Sequence, residues 1–144
     1  MIDGVVITPL KIINAVGGDV YHAMKCTDSV FSRFGEAYFS VVEAGAVKAW
    51  KRHRRMTMNL IVPIGAARFV MYDDRVRSST SGAYQEVILS RDNYCRLTVP
   101  PLVWLGFQGV GEAQAMIHNI ADVPHDPSEV DKKAVDEIEY SWGF

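Results

Sequence analysis

Six of the eight side chains from Lys48 to Arg55 are basic or titratable: Lys48, Lys51, Arg52, His53, Arg54 and Arg55. The chain as a whole has a formal net charge of −2, so this run is a local concentration of positive charge. Arg and Lys together can form an electropositive rim for a pyrophosphate or another anion, with Arg offering paired contacts to its oxygens. The competing reading is a strand whose outward residues are charged to protect an edge. On a regular extended strand Val47, Ala49, Lys51 and His53 point one way, and Lys48, Trp50, Arg52 and Arg54 the other. Lys51 and His53 then share an inward face. Desolvation pushes a Lys in an apolar cavity toward its neutral form, where it can act as a base or hold a carbonyl. His53 is a second candidate for acid–base chemistry on that face. If both instead line a solvated mouth, neither has a chemical role. His118 lies in a later apolar run and is a third candidate, with a structural histidine as its alternative. His22 and His125 fall near turns and read as surface residues.

These side chains need a scaffold, and the middle of the chain supplies a series of short strands. Ala37–Val42, Val47–Arg52, Leu60–Ile64, Arg68–Tyr72, Glu86–Leu89, Cys95–Val99, Val103–Phe107 and Ala113–Ile120 are rich in Val, Ile, Phe and Tyr. Gly, Asp, Asn or Pro lies between most of them, which predicts an antiparallel sandwich or barrel. Asp73-Asp74-Arg75 and Ser78–Gly82 predict an exposed hairpin loop. Asp28–Phe34 reads as a short helical turn. Pro127–Ala134 reads as a polar surface helix capped by Asp126 or Ser128, with Ile138, Tyr140 and Trp142 returning apolar groups to the body. Met56, Met58, Met71 and Met116 read as core filling.

Composition narrows the classes. A chain of 144 residues, 49% hydrophobic and 22% charged, is one globular domain rather than a disordered segment. The slight negative charge argues against a nucleic-acid partner. No run approaches the length of a membrane-spanning helix, so no membrane partner is expected. Two cysteines, Cys26 and Cys95, without a secretory pattern read as reduced thiols in a cytoplasmic protein.

Two spacings identify the scaffold. Gly45, five residues, Lys51-Arg52-His53, four residues, Met58, six residues and Gly65 resemble the first motif of the cupins. In that motif Lys51 and Met58 stand where a His and a Glu are usual. Tyr94, Pro100, Leu102, Leu105 and Gly109 follow the spacing of the second motif, with only the Pro kept. The resemblance implies an all-β double-stranded β-helix, the cupin jelly roll, with short peripheral helical turns. Its barrel core spans about 35–121, preceded by N-terminal strands within 1–34 and followed by a tail at 122–144. With Lys51, Met58 and Leu105 at three of the four ligand positions, no metal is expected, and no organic cofactor either.

The runs Gly35–Ser40, Gly45–Asn59, Tyr72–Arg75, Asp92–Tyr94, Pro100–Phe107 and Ile138–Trp142 resemble the dTDP-4-dehydrorhamnose 3,5-epimerase-related proteins. That resemblance implies a nucleotide-linked keto-sugar as ligand, a homodimer, and a role in polysaccharide or deoxysugar biosynthesis. The implied reaction is metal-free proton abstraction next to a carbonyl, with a His base, a Tyr acid and a Lys that stabilises the enolate. Taken with the strand parity above, the candidate catalytic residues are Lys51, His53 and His118, and the candidate substrate-binding residues are Lys48, Arg52, Asn59 and Trp104. Lys51 occupies the family's base position, Met58 falls at or beside its Lys, and Ala113–Asp122 contains no Tyr. A non-catalytic binding or structural cupin is therefore the alternative.

Overall fold

The computed structural model describes residues 1–143 as two facing antiparallel sheets with almost no helix. The strands are β1 (Val6–Pro9), β2 (Ile12–Ile13), β3 (Val20–Tyr21), β4 (Glu36–Val42), β5 (Val47–His53) and β6 (Met58–Ile64). They continue as β7 (Ala66–Tyr72), β8 (Tyr84–Ser90), β9 (Cys95–Val99), β10 (Trp104–Val110), β11 (Ala115–Ala121) and β12 (Val130–Lys132). One sheet has the order β1-β9-β6-β11-β4 and the other β12-β5-β10-β7-β8, with β2 and β3 forming a separate ribbon. All eight strands expected from the β-branched and aromatic runs are present, with ends moved by a few residues. The all-β cupin architecture stands.

The alternation that marks a half-buried strand is clearest on β11. Ala115, Ile117, Asn119 and Ala121 are buried, while Met116, His118 and Ile120 lie on the other face. The inward residues of both sheets meet in one core that includes Val42, Met58, Leu60, Phe69, Leu97 and Val99. Phe69, Leu97 and Val99 are fully enclosed, and truncating such a side chain to Ala typically costs about 2–5 kcal/mol. The turn between β6 and β7 hinges on Gly65. Its φ is +81°, and an added Cβ would stand 2.7 Å from the Ala115 backbone, so only Gly fits.

Three local expectations are corrected. The helical turn expected at 28–34 is one hydrogen-bonded turn, Phe31 N–H to the Asp28 carbonyl at 3.0 Å, with irregular chain from 31 to 34. The Asp28 carboxylate accepts from the Lys25 amide (2.9 Å) and from Arg96 (3.0 Å), tying the segment down. The tail helix is a single 3₁₀ turn at Pro127–Glu129, capped by Asp126, after which the chain becomes β12 on the edge of β5. Ile138 and Trp142 do pack against the body, beneath Trp50, Val70 and Trp104. The hairpin loop after β7 is not simply exposed: Asp73 is fully buried and accepts from Arg75, Ser78 and Thr80. The Arg75 guanidinium, helped by the two hydroxyls, holds its carboxyl well below the usual range despite burial.

Candidate functional site

Between the sheets opens a cavity of about 990 Å³, large enough for a sugar nucleotide. Lys48, Lys51 and His53 on β5 form one wall, and Glu36, Tyr38 and Ser40 on β4 belong to the opposite sheet. Met58, Leu60, Leu105 and Ile117 make the floor apolar. Lys132 on β12 pairs with Lys51 and also borders the space. Among the described residues that line the cavity, Glu36 is the one carboxylate, so the site is electropositive. Burial, with repulsion from Lys132 and Lys48, pushes the Lys51 ammonium below its ordinary pKa.

Simple alternation along β5 does not hold, and the reason is a bulge. Leu105 pairs with Lys51 but Phe107 pairs with Lys48, so Ala49 and Trp50 together face the single residue Gly106. An added Cβ at Gly106 would stand 2.7 Å from the Ala49 Cβ and 3.0 Å from Trp142, so the glycine makes room for the extra residue. Trp50 turns outward into the aromatic cluster with Trp104 and Trp142. Lys48, expected on the outer face, is thereby turned into the cavity beside Lys51, and its Nζ donates to the Val41 carbonyl at 2.8 Å.

His53 and Glu129 form a buried pair. His53 is 8% exposed and Glu129 2%, and the His53 Nδ1 is hydrogen-bonded to Glu129 Oε1. The other carboxylate oxygen accepts from the backbone amides of Arg54 (3.1 Å), Arg55 (3.0 Å) and Met56 (3.3 Å). Burial alone would raise the Glu129 pKa, but His53 and the Arg55 and Met56 amides outweigh it, leaving the carboxyl below its usual value. An ionised carboxylate only accepts, so Nδ1 carries the hydrogen and Nε2 keeps a lone pair for the cavity. This is the arrangement of an oriented general base. Sequence reasoning missed Glu129, which lies 76 residues away in a polar tail. Its signal was weak: a Glu behind the Asp126 cap.

The rest of the basic run faces away from the cavity. Arg52 Nε and Nη2 bond Asp131 at 3.1 and 2.8 Å, its Nη1 bonds Asp74 at 3.2 Å, and its guanidinium lies 4.7 Å over the Trp104 ring. Arg54 also bonds Asp131, and Arg55 bonds Asp126. These arginines clamp the tail strand onto β5 rather than forming an anion rim. Trp104 is 1% exposed and donates to Asp74 at 2.8 Å on the same outer side. Asn59 points out of the cavity, with its side chain bonded to Thr98 (2.7 Å) and the Ile120 carbonyl (3.1 Å). His118 stacks on Phe39 with ring centroids 4.3 Å apart, on the outer face of its sheet, and burial lowers its pKa. Arg52, Trp104, Asn59 and His118 are thus not brought together with Lys48, Lys51 and His53.

The metal of many cupins does not fit these residues. Lys51, Met58 and Leu105 are poor ligands, and the Nδ1 of His53 is already committed to Glu129. Among the described residues no three His, Cys, Asp or Glu side chains converge.

The fold defines a cupin. The chain is 42% identical to a dTDP sugar isomerase from Desulfovibrio desulfuricans, with a TM-score of 0.96 over 98% of this chain and 92% of that one. It belongs to the same family, the dTDP-sugar isomerases related to dTDP-4-dehydrorhamnose 3,5-epimerase. A spore coat polysaccharide biosynthesis protein, SpsL of Bacillus subtilis, is 27% identical over 144 residues, which is all of this chain and 95% of that protein. A probable low-salt glycan biosynthesis epimerase, Agl13 of Haloferax volcanii, is 27% identical over 69% of this chain and 64% of that protein. The epimerase of Legionella pneumophila, solved with dTDP-4-keto-L-rhamnose, shares the fold at a TM-score of 0.84 and 22% identity, over 94% of this chain and 75% of that one. No protein-family model matches the chain.

Proposed function

We propose that the cavity binds a nucleotide-linked keto-sugar and that His53 removes a proton from the carbon next to its carbonyl. The observation that carries this reading is the buried His53–Glu129 pair on the wall of an electropositive cavity. Glu129 holds the imidazole in the tautomer that leaves Nε2 basic and stabilises the imidazolium that forms. Lys51, on the same wall, supplies positive charge for the developing enolate. Lys48 and Lys132 provide further charge for a diphosphate. Family membership and the polysaccharide and glycan roles named for SpsL and Agl13 support a place in the synthesis of surface sugars.

The non-catalytic alternative predicts ligand binding without turnover. Thermal shift gives the first test, because a ligand that binds only the folded chain raises the apparent Tm. Millimolar dTDP is expected to raise it by several degrees in wild type and by much less in Lys48→Ala. No shift with dTDP or with dTDP-4-keto-L-rhamnose contradicts the reading.

The same reading includes a homodimer in the cytoplasm. Phe39 and Ile64 are 61% and 62% exposed on the outer face of the first sheet, apolar surface that a second copy would cover. Trp142, at 2% exposure, is buried in its own chain and offers no such surface. Light scattering at micromolar concentration distinguishes dimer from monomer. Among the described residues no helix is long and apolar enough to cross a membrane.

A further inference from the structure

Inverting a carbon stereocentre requires a proton donor on the face opposite the base. Ala115–Ala121, the strand where the family resemblance places a tyrosine, has none. The side chains of the sheet facing β5 include one hydroxyl of the right kind. Tyr38 on β4 lines the cavity and is 42% exposed. It pairs across the sheet with Asn119 of β11, whose Nδ2 lies 3.1 Å from the Tyr38 hydroxyl oxygen.

The hydrogen-bond network fixes which way that contact runs. Asn119 is 1% exposed, and its Oδ1 accepts from the backbone amide of Asn59 at 3.1 Å. A backbone amide only donates, so the oxygen of Asn119 must face Asn59 and its NH2 must face Tyr38. Asn59 is itself immobilised through Thr98 and the Ile120 carbonyl. The Tyr38 oxygen is therefore an acceptor from Asn119, and its own hydrogen is free to point into the cavity. The same Asn119 donor would stabilise a phenolate once that hydrogen has left.

We infer that Tyr38 is the catalytic acid of this chain, delivering a proton from the β4 wall to the carbon that His53 deprotonates from the β5 wall. This inference rests on the keto-sugar reading above. The step balances without a co-reactant. His53 Nε2 takes the hydrogen next to the carbonyl, and the C–H electron pair becomes the enolate. Tyr38 then protonates the same carbon from the other side as the enolate collapses to the ketone. The imidazolium and phenolate left behind reset by exchange with water through the cavity mouth.

The test follows dTDP-4-keto-L-rhamnose in D2O by proton NMR, reading deuterium entry and inversion at the carbons beside the carbonyl separately. Wild type is expected to show both. Tyr38→Phe keeps the ring and is expected to retain exchange within about threefold while inversion falls by about 100-fold or more, the scale of a lost general acid. Binding of dTDP by thermal shift confirms that the variant is folded. If Tyr38→Phe inverts at the wild-type rate, or loses exchange together with inversion while still folded, the donor role is overturned. Wild-type exchange without inversion also overturns it and leaves the His53 reading standing. No wild-type exchange at all overturns both. Should Tyr38→Phe not fold, a fluorinated tyrosine at position 38 keeps the hydroxyl and lowers its pKa. The alkaline limb of inversion is then expected to move to lower pH, and an unmoved limb overturns the assignment.

Discussion

Glu129→Gln separates the two jobs of the buried carboxylate. Its Oε2 gathers the amides of Arg54, Arg55 and Met56, and its Oε1 holds the His53 Nδ1. A Gln side chain has one acceptor oxygen, which the amides of Arg55 and Met56 will claim because the carboxylate is their one partner among the described residues, whereas the Arg54 amide also donates to the Glu129 carbonyl at 2.7 Å. Its NH2 is then left against His53, and an NH2 can only donate. Nδ1 must become the acceptor, so the ring hydrogen moves to Nε2 and the base is lost from the cavity side. The stability change is the difference between charge-assisted hydrogen bonds, worth about 1.5–3 kcal/mol, and neutral ones, worth about 0.5–1.5 kcal/mol. Glu129→Gln should therefore lose about 1–3 kcal/mol. Glu129→Ala should lose about 3–5 kcal/mol, since it strands the Arg55 and Met56 amides and an imidazole. Urea unfolding gives the first quantity and solvent-deuterium exchange into dTDP-4-keto-L-rhamnose the second, with a loss of about 100-fold or more expected for Glu129→Gln. Exchange at the wild-type rate in a folded Glu129→Gln protein would refute the tautomer argument.

Lys51→Met removes an ammonium that burial and two neighbouring lysines already disfavour. It should leave urea stability unchanged or higher by up to about 0.5 kcal/mol, while keto-sugar turnover falls sharply. Gly106→Ala places a methyl against Ala49 and Trp142. It should cost about 1–3 kcal/mol by urea unfolding and weaken dTDP binding, because the bulge that turns Lys48 inward would be displaced. Hydrogen bonds from Arg54 and then Arg52 pull the Asp131 carboxyl down to about 2, below the usual carboxylate range. A carboxyl depressed in this way stabilises above its unfolded pKa and loses that contribution as pH falls through the folded one. Hydrogen exchange in β12 should therefore accelerate between about pH 4 and pH 2, and Asp131→Asn should show the faster exchange already at neutral pH.

Legibility in the sequence followed how local each cause is. The eight central strands are visible because β-branched and aromatic runs alternate with turn residues, and burial enforces that period of two. β12 is not visible, because Val130-Asp131-Lys132 has little apolar content and becomes a strand only by pairing with β5 under the Arg52 and Arg54 clamp. Lys51 and His53 were readable as neighbours on one face because no irregularity lies between them. Lys48 was assigned to the wrong face because parity fails across a bulge, whose cause is the outward packing of Trp50 opposite Gly106. Asn59, Trp104 and Arg52 sit in conspicuous motifs, yet their hydrogen bonds are spent on Thr98, Asp74 and Asp131. Those contacts join segments far apart in the chain, and no spacing rule reports them. Glu129 and Tyr38 were missed as site residues for the same reason: each becomes chemical only through a partner on another strand.

The central claim is that His53 is the base, and one measurement addresses it most directly. Wild type and His53→Asn are incubated with dTDP-4-keto-L-rhamnose in D2O, with folding of both checked by circular dichroism. Deuterium should enter beside the carbonyl in wild type, and the rate should fall by at least about 100-fold in the variant. Equal rates in the two proteins, or no incorporation in wild type, would contradict the account.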